Sequence, residues 1–387
     1  MTQVLPSQRD CFDIPRDVCY LNAASFGPLP RAVREAAEMA AARKARPWDL
    51  AAWQGNAPAQ SERARRAAAA LIGAEPDDVA VISSVSYGVA TAGRILPAGA
   101  GQRVLVLQDD HSSPVLEWLG RAESQGFAVE TVARPDDGDW TAAVLAAIGR
   151  PGALPLAVAS ISSVHWSDGG LLDLVPIAEA VRAQAAALVV DATHHAGMLP
   201  IDVRALDPDF LVFPTYKWVL GPYGRAFLYV AKRWQHGVPL EQTSGGRRSI
   251  DAAVEPYLAD IAYLPDARRF DMGERDFFIG LEMASIGMEM VAGWGHAAIS
   301  ERMAMLTARI ADALAGTGVT ILPARLRAPH VLSLGFPNGM PAGLIERLAA
   351  AKVFVSPRLG RLRIGAHVYN DEEDVDRFLE VFRTALR

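Results

Sequence analysis

The chain has 387 residues, of which 51% are hydrophobic and 21% charged, with a formal net charge of −6. That composition is globular rather than disordered and leaves room for two domains around sizeable cores. An acidic balance without a basic stripe argues against a nucleic-acid partner. The four lysines are Lys44, Lys217, Lys232 and Lys352, so any chemistry that needs a lysine has few candidates.

Met1 to Asp10 is polar and lacks the apolar core of a leader peptide. Cys11 and Cys19 do not form a familiar zinc or disulfide pattern. They read as reduced structural cysteines, which places the protein in the cytoplasm. No apolar run reaches the roughly 18 residues of a membrane span, so no membrane partner is expected.

Residues 1–30 read as an N-terminal arm. In it Tyr20-Leu21-Asn22 ends a short strand, and Pro28-Leu29-Pro30 leads into a helix. Short, mostly apolar runs follow at Val79–Ile82, Arg103–Leu107, Phe127–Val132, Leu156–Ile161, Ala187–Val190, Phe210–Phe213 and Ala226–Val230. Their length and β-branched content predict buried strands. Helical patterns lie between several of them, at Ser112–Gln125, Thr141–Ile148 and Leu174–Ala186. Strand and helix in alternation predict an α/β fold, a mainly parallel sheet between helices, over residues 31–255. Residues 256–387 read as a smaller α+β domain. It opens on a long helical pattern, Glu282–Met305, broken near Gly293–Gly295 and continued over Thr307–Ala315. Strands follow at Val331–Leu334, Val353–Val355 and Leu362–Ile364, and a closing helix is capped by Asp371.

In parallel sheets ligands bind at the carboxyl ends of the strands, and the unusual residues cluster there. Ser83-Ser84-Val85-Ser86 follows the first of these strands and opens a helix, a placement suited to phosphate. Asp109-Asp110-His111, Asp191-Ala192-Thr193-His194-His195 and Thr215-Tyr216-Lys217-Trp218 follow other strands. Lys217, between two aromatic residues and ahead of the turn Gly221-Pro222-Tyr223-Gly224, is poorly explained as a surface lysine. A lysine in apolar surroundings has a lowered pKa and becomes a nucleophilic amine. With a carboxylate and an anion cradle it completes the parts that hold pyridoxal 5′-phosphate. Two other readings compete. A metal-dependent hydrolase would use Asp109, Asp110, His111, Asp191, His194 and His195 as ligands. A non-catalytic cofactor-binding regulator would be expected to carry an added DNA-binding domain, for which no spare segment is apparent.

The stretch Val190-Asp191-Ala192-Thr193-His194-His195, followed by Thr215-Tyr216-Lys217-Trp218-Val219-Leu220-Gly221-Pro222-Tyr223-Gly224, resembles the class V aminotransferase family. That family of fold-type I pyridoxal phosphate enzymes includes cysteine desulfurases, isopenicillin N epimerase and kynureninase. Tyr20-Leu21-Asn22-Ala23-Ala24 and Arg363 ahead of Tyr369-Asn370 are similar to its N- and C-terminal motifs, so the resemblance runs over nearly the whole chain.

The resemblance implies Lys217 as the Schiff-base lysine and proton shuttle, and Asp191 as the partner of the pyridine nitrogen. It implies His111 as the ring stacked on the cofactor and His194 as the hydrogen-bond partner of its phenolic oxygen. Val85, Ser86 and Tyr216 would contact the phosphate, Arg363 the substrate carboxylate, and Asn22 and Trp166 the substrate side. His165, His195, Arg247, Arg248 and His367 are further candidates there. The family's shared active sites imply a homodimer, and its substrates imply a small-molecule amino acid as the partner. The loop Val355-Ser356-Pro357-Arg358-Leu359-Gly360 carries no cysteine where desulfurases have their nucleophile. The expected reaction is therefore transamination or epimerisation, with β-elimination of a C–S lyase type as the alternative. In Phe270–Asp276, Glu274 and Arg275 stand where relatives offer a hydroxyl to the neighbouring subunit's phosphate. An arginine there could serve phosphate and a glutamate would repel it.

Overall fold

The architecture comes from a computed structural model that describes residues 4–50, 57–248, 254–256, 258 and 260–386. The arm contributes strand β1 (Cys19–Tyr20). The main sheet is built from β2 (Val79–Ile82), β3 (Arg103–Leu107), β4 (Ala128–Val132), β5 (Leu156–Ser162), β6 (Ala187–Asp191), β7 (Phe210–Pro214) and β8 (Ala226–Val230). Their order is β2-β8-β7-β6-β5-β3-β4, with β8 antiparallel to both neighbours and the rest parallel to one another. All the strands expected between 79 and 230 are present. β3, β5, β6 and β7 are buried along their whole length, because helices cover both faces. β4 lies at one edge and carries the half-buried Glu130, which pairs with Arg103 at 2.6 Å. Phe127 stays outside β4 and packs edge-on against Trp118.

The helices before residue 210 are α1 (Arg31–Lys44), α2 (Ala57–Ile72), α3 (Val85–Ile95), α4 (Ser112–Gln125), α5 (Trp140–Ile148), α6 (Leu174–Ala183) and the one-turn α7 (Val203–Leu206). Val85, Val89 and Trp118 of α3 and α4 pack on one face of the sheet. Ala64, Val144 and Ile177 of α2, α5 and α6 pack on the other, together with Leu281 and Met288 of the long helix α8 (Phe278–Trp294). Their N-termini follow capping chemistry: Ser84, Asp139 and Asp173 each accept a hydrogen bond from a first-turn N–H. α6 stops three residues short of the expected Ala186. Ala185 adopts a left-handed φ of 52° as the chain turns into β6, a reversal that an Ala-rich sequence does not signal.

Beyond α8, Gly295 with φ 81° breaks the helical run, and α9 (His296–Ala313) resumes it. Strand β9 (Val331–Leu334), helix α10 (Leu344–Ala350), β10 (Val353–Phe354), β11 (Ser356–Arg358), β12 (Arg361–Gly365) and α11 (Glu372–Ala385) follow. β11, β12 and β9 form an antiparallel sheet, while β10 pairs in parallel with β1. The run Val353–Val355 is thus divided, with Val355 passing the chain from one sheet to the other. Asp371 and Asp374 close a reciprocal cap on α11.

β2 is the other edge of the main sheet, and the segment after Phe270 covers it. Met272 N–H donates to the Val81 carbonyl, and Asp271 Oδ1 accepts the Val81 N–H at 2.7 Å. Asp271 also receives both Nη atoms of the fully buried Arg65, at 3.0 and 2.8 Å. Among the described residues no helix is long and apolar enough to cross a membrane.

Candidate active site

The carboxyl ends of β2, β3, β5, β6 and β7 converge on a cleft of about 200 Å³. Val85, Ser86, His111, Trp166, Asp191, His194, Tyr216 and Lys217 all line it.

Lys217 lies in the loop from β7 to β8. The Thr215 hydroxyl closes that loop by donating to the carbonyls of Pro222 (2.6 Å) and Arg225 (3.1 Å). From the arm, Gly27 N–H donates to the Tyr216 carbonyl at 3.0 Å. Gly27 lies so close that any Cβ there would collide with the Lys217 carbonyl. The lysine is 7% exposed, and its Nζ is 3.3 Å from His194 Nε2. Burial, reinforced by the Arg363 charge and opposed by Asp191, lowers its pKa to about 7.

The hydrogen-bond geometry supports a neutral amine independently. Trp218 Nε1–H, which can only donate, gives its proton to His194 Nδ1 at 3.0 Å. Nδ1 is therefore unprotonated, and a neutral His194 carries its proton on Nε2, facing Lys217. Two donors would then meet if Lys217 were an ammonium, whereas a neutral Nζ accepts. Burial and the neighbouring Lys217 hold His194 well below the usual histidine range.

Asp191 ends β6. Its Oδ1 accepts the Thr193 N–H at 2.8 Å, which fixes the carboxylate while its side chain borders the cleft. His111 caps the start of α4 and presents its ring edge-on to Trp166, with centroids 6.0 Å apart. The turn before it is held from β5: Asp110 accepts Ser162 Oγ–H at 2.7 Å, and the Trp166 indole donates to the Asp109 carbonyl at 2.7 Å. Burial raises the Asp110 carboxyl to about 6.

At the other end of the cleft, α3 begins. The N–H groups of Val85 and Ser86 have no intrahelical partner there, and the Ser86 and Ser113 hydroxyls are 3.0 Å apart. Beside them stands Arg225, 3% exposed, which continues the register of β8 opposite β2. Its contacts are neutral: the Phe277 carbonyl at 3.3 Å, the Gly224 carbonyl at 3.5 Å and Met272 Sδ at 3.5 Å. Its Nε is buried without a partner. Burial lowers its pKa to about 10. Sequence reasoning missed Arg225, because its place ahead of the apolar run Ala226–Val230 does not reveal that it lacks a carboxylate partner.

Arg363 on β12 borders the cleft through Trp166. Its Nη1 donates to the Trp166 carbonyl at 2.7 Å, and its Nη2 donates to Ser25 Oγ at 2.9 Å. Asn22 bridges to Gly365 near it but does not line the cleft. Other substrate-side candidates are placed elsewhere. His165 stacks on Trp140 at 4.7 Å and bonds the Gln108 carbonyl, turned into the core by its packing. His195 points to the Pro200 carbonyl, and His367 stacks on Trp218 behind the lysine. Arg247 lies over Tyr263, and Arg248 is exposed beside Asp260. Arg275 is held by Asp271 at 2.5 Å in its own chain, and Glu274 occupies a left-handed turn. The ligand set of a metal hydrolase is not assembled. His194 and His195 diverge, and among the described residues no cluster of His, Cys, Asp or Glu could hold a metal.

The donor set fits pyridoxal 5′-phosphate: a neutral buried amine, a fixed carboxylate across the cleft, and free N–H groups beside an arginine with an unmet donor. The family model for aminotransferase class-V matches residues 20–378. Isopenicillin N epimerase of Streptomyces clavuligerus is 29% identical over 379 residues, 94% of each chain. An uncharacterised aminotransferase of Bacillus subtilis strain 168, YcbU, is 29% identical over 330 residues, covering 82% of this chain and 81% of that protein. Among solved structures, the cystine C–S lyase C-DES superposes with a TM-score of 0.83 at 19% identity, covering 96% of this chain and 98% of that one. The cysteine desulfurase of Thermococcus onnurineus NA1 gives 0.82 at 20%, covering 97% and 96%. The sheet order and these superpositions define a fold-type I architecture, and the chain belongs to the aminotransferase class-V family, enzymes that work with pyridoxal 5′-phosphate.

Proposed function

We propose that the protein transfers the amino group of an amino acid, with Lys217 as the catalytic base. The observation that carries this reading is the buried Lys217 Nζ, 3.3 Å from His194 Nε2 in the same cleft as Asp191. When bound, pyridoxal 5′-phosphate supplies an electron-withdrawing conjugated ring to which the substrate nitrogen can be joined. Lys217 Nζ would hold that group covalently, then take and return the proton of the substrate Cα. Asp191 would keep a proton on the pyridine nitrogen, and His194 Nε2–H would face the phenolic oxygen. The Val85 and Ser86 N–H groups, the Ser86 hydroxyl, the Tyr216 phenol and Arg225 would hold the phosphate. His111 would cover one face of the ring. Arg363 would pair with the substrate carboxylate, with Trp166 beside it and Asn22 bracing the arm.

Proton return by Lys217 on its own side of the cleft would give transamination. Epimerisation is the second reading, because the isopenicillin N epimerase relative aligns over 94% of both chains. A cytoplasmic homodimer is part of the proposal. Phe26, Tyr223 and Phe277, near the cleft, are each at least half exposed, an apolar margin suited to a second subunit. The test incubates the cofactor-loaded protein with single L-amino acids and a keto-acid acceptor and identifies the products. A new keto acid and a new amino acid support transamination. The D-enantiomer alone supports epimerisation, and ammonia with pyruvate from cystine would replace both by elimination.

A further inference from the structure

Arg363 is not the only guanidinium at the substrate side. Arg358 Nη2 donates to Ser25 Oγ at 2.9 Å, the same oxygen that Arg363 Nη2 reaches at 2.9 Å. The two nitrogens therefore stand less than two hydrogen-bond lengths apart. Both guanidiniums also lie over the Trp166 ring, at 5.9 and 6.0 Å from its centroid. Their remaining contacts are neutral, the Pro357 carbonyl for Arg358 and the Trp166 carbonyl for Arg363. Among the described residues, neither has a carboxylate at ion-pair distance, unlike the buried Arg9, Arg65 and Arg103.

Two like charges sharing one neutral hydroxyl repel each other, and the arrangement persists because the fold imposes it. Arg358 ends β11, and the left-handed residues Leu359 (φ 48°) and Gly360 (φ 74°) form the tight turn that leads into β12 and Arg363. Arg363 is 2% exposed, while Arg358 is half-buried. Their charges reach the reacting amine as well: both help to hold Lys217 in its neutral form. A single α-carboxylate would neutralise one guanidinium and leave the other unmatched.

We propose that the substrate is an amino acid whose short side chain ends in an anionic group, gripped by Arg358 while Arg363 grips the α-carboxylate. The proposal rests on the transaminase reading and deepens it by naming the substrate class. A planar fork that meets a carboxylate in two hydrogen bonds discriminates sharply against an uncharged isostere.

The test titrates the cofactor-loaded enzyme with L-aspartate against L-asparagine, L-glutamate against L-glutamine, and L-alanine, reading the change in cofactor absorbance. The acid of at least one pair should bind about tenfold or more tightly than its amide. Arg358→Gln should reduce that ratio to near one, with a much smaller loss for L-alanine than for the acid, and Arg358→Lys should restore part of it. A ratio near one in the unaltered enzyme overturns the proposal. So does an Arg358→Gln variant that weakens alanine as much as aspartate, since both arginines would then share one carboxylate. A protein that takes up the cofactor and responds to neutral amino acids alone overturns only the substrate class. One that never takes up the cofactor overturns the transaminase reading beneath it.

Discussion

Lys217 should act as a base near neutral pH even before the cofactor arrives. An ordinary lysine, with a pKa near 10.5, is neutral in roughly one molecule in three thousand at pH 7. With its pKa near 7, about half of the Lys217 amines are neutral, an increase on the order of a thousandfold. The assay measures the rate at which cofactor-free protein takes up pyridoxal 5′-phosphate, from about pH 5 to about pH 10. The rate should rise through a midpoint near 7 and level off above it. Trp218→Phe should shift that midpoint, because His194 Nδ1 then loses the donor that fixes its tautomer. Stability should follow the same proton. Below about pH 7 the amine is protonated in both the folded and the unfolded chain. Between there and about 10.5 only the unfolded chain holds the proton, so this group makes the cofactor-free protein more stable as pH climbs through that window. A rate still climbing past about pH 9, with no plateau, would refute the reasoning.

Asp191→Asn should leave cofactor binding nearly intact and lower kcat by orders of magnitude, since a neutral amide cannot keep the pyridine nitrogen protonated; paired binding and turnover measurements check this. Arg225→Gln should weaken cofactor affinity by about tenfold or more, with partial recovery in Arg225→Lys, read by fluorescence titration of the cofactor-free protein. Asp271→Ala removes the carboxylate that meets both Nη atoms of the fully buried Arg65, leaving it Glu62 on Nε, and frees the edge of β2. It should cost about 3–5 kcal/mol in a denaturant titration, and a loss under about 1 kcal/mol would remove the pair from the account of that edge.

The strands were legible because β3, β5, β6 and β7 are covered on both faces, which forces unbroken apolar runs into the sequence. The lining of the cleft was legible for a related reason. Lys217, Asp191 and His111 each follow such a run, so a polar residue there had to be accounted for. Ser25 and Arg225 were hidden because their significance depends on what is missing around them. A serine in an arm gives no sign that two guanidiniums will meet on its hydroxyl, and an arginine before a strand gives no sign that it lacks a carboxylate. His165, His195 and His367 misled for the opposite reason. His165 and His195 are adjacent in sequence to Trp166 and His194, which line the cleft, and His367 follows Arg363 by four residues, but each ring is taken up by stacking or by a backbone carbonyl. The end of α6 was lost to Ala185, a residue that favours helix and yet here turns left-handed.

The most direct measurement is borohydride reduction of the protein after loading with pyridoxal 5′-phosphate, followed by peptide mapping. The account predicts one stoichiometric cofactor adduct, on Lys217, and its loss in Lys217→Ala. An adduct spread over Lys44, Lys232 and Lys352, or no adduct at all, would contradict it.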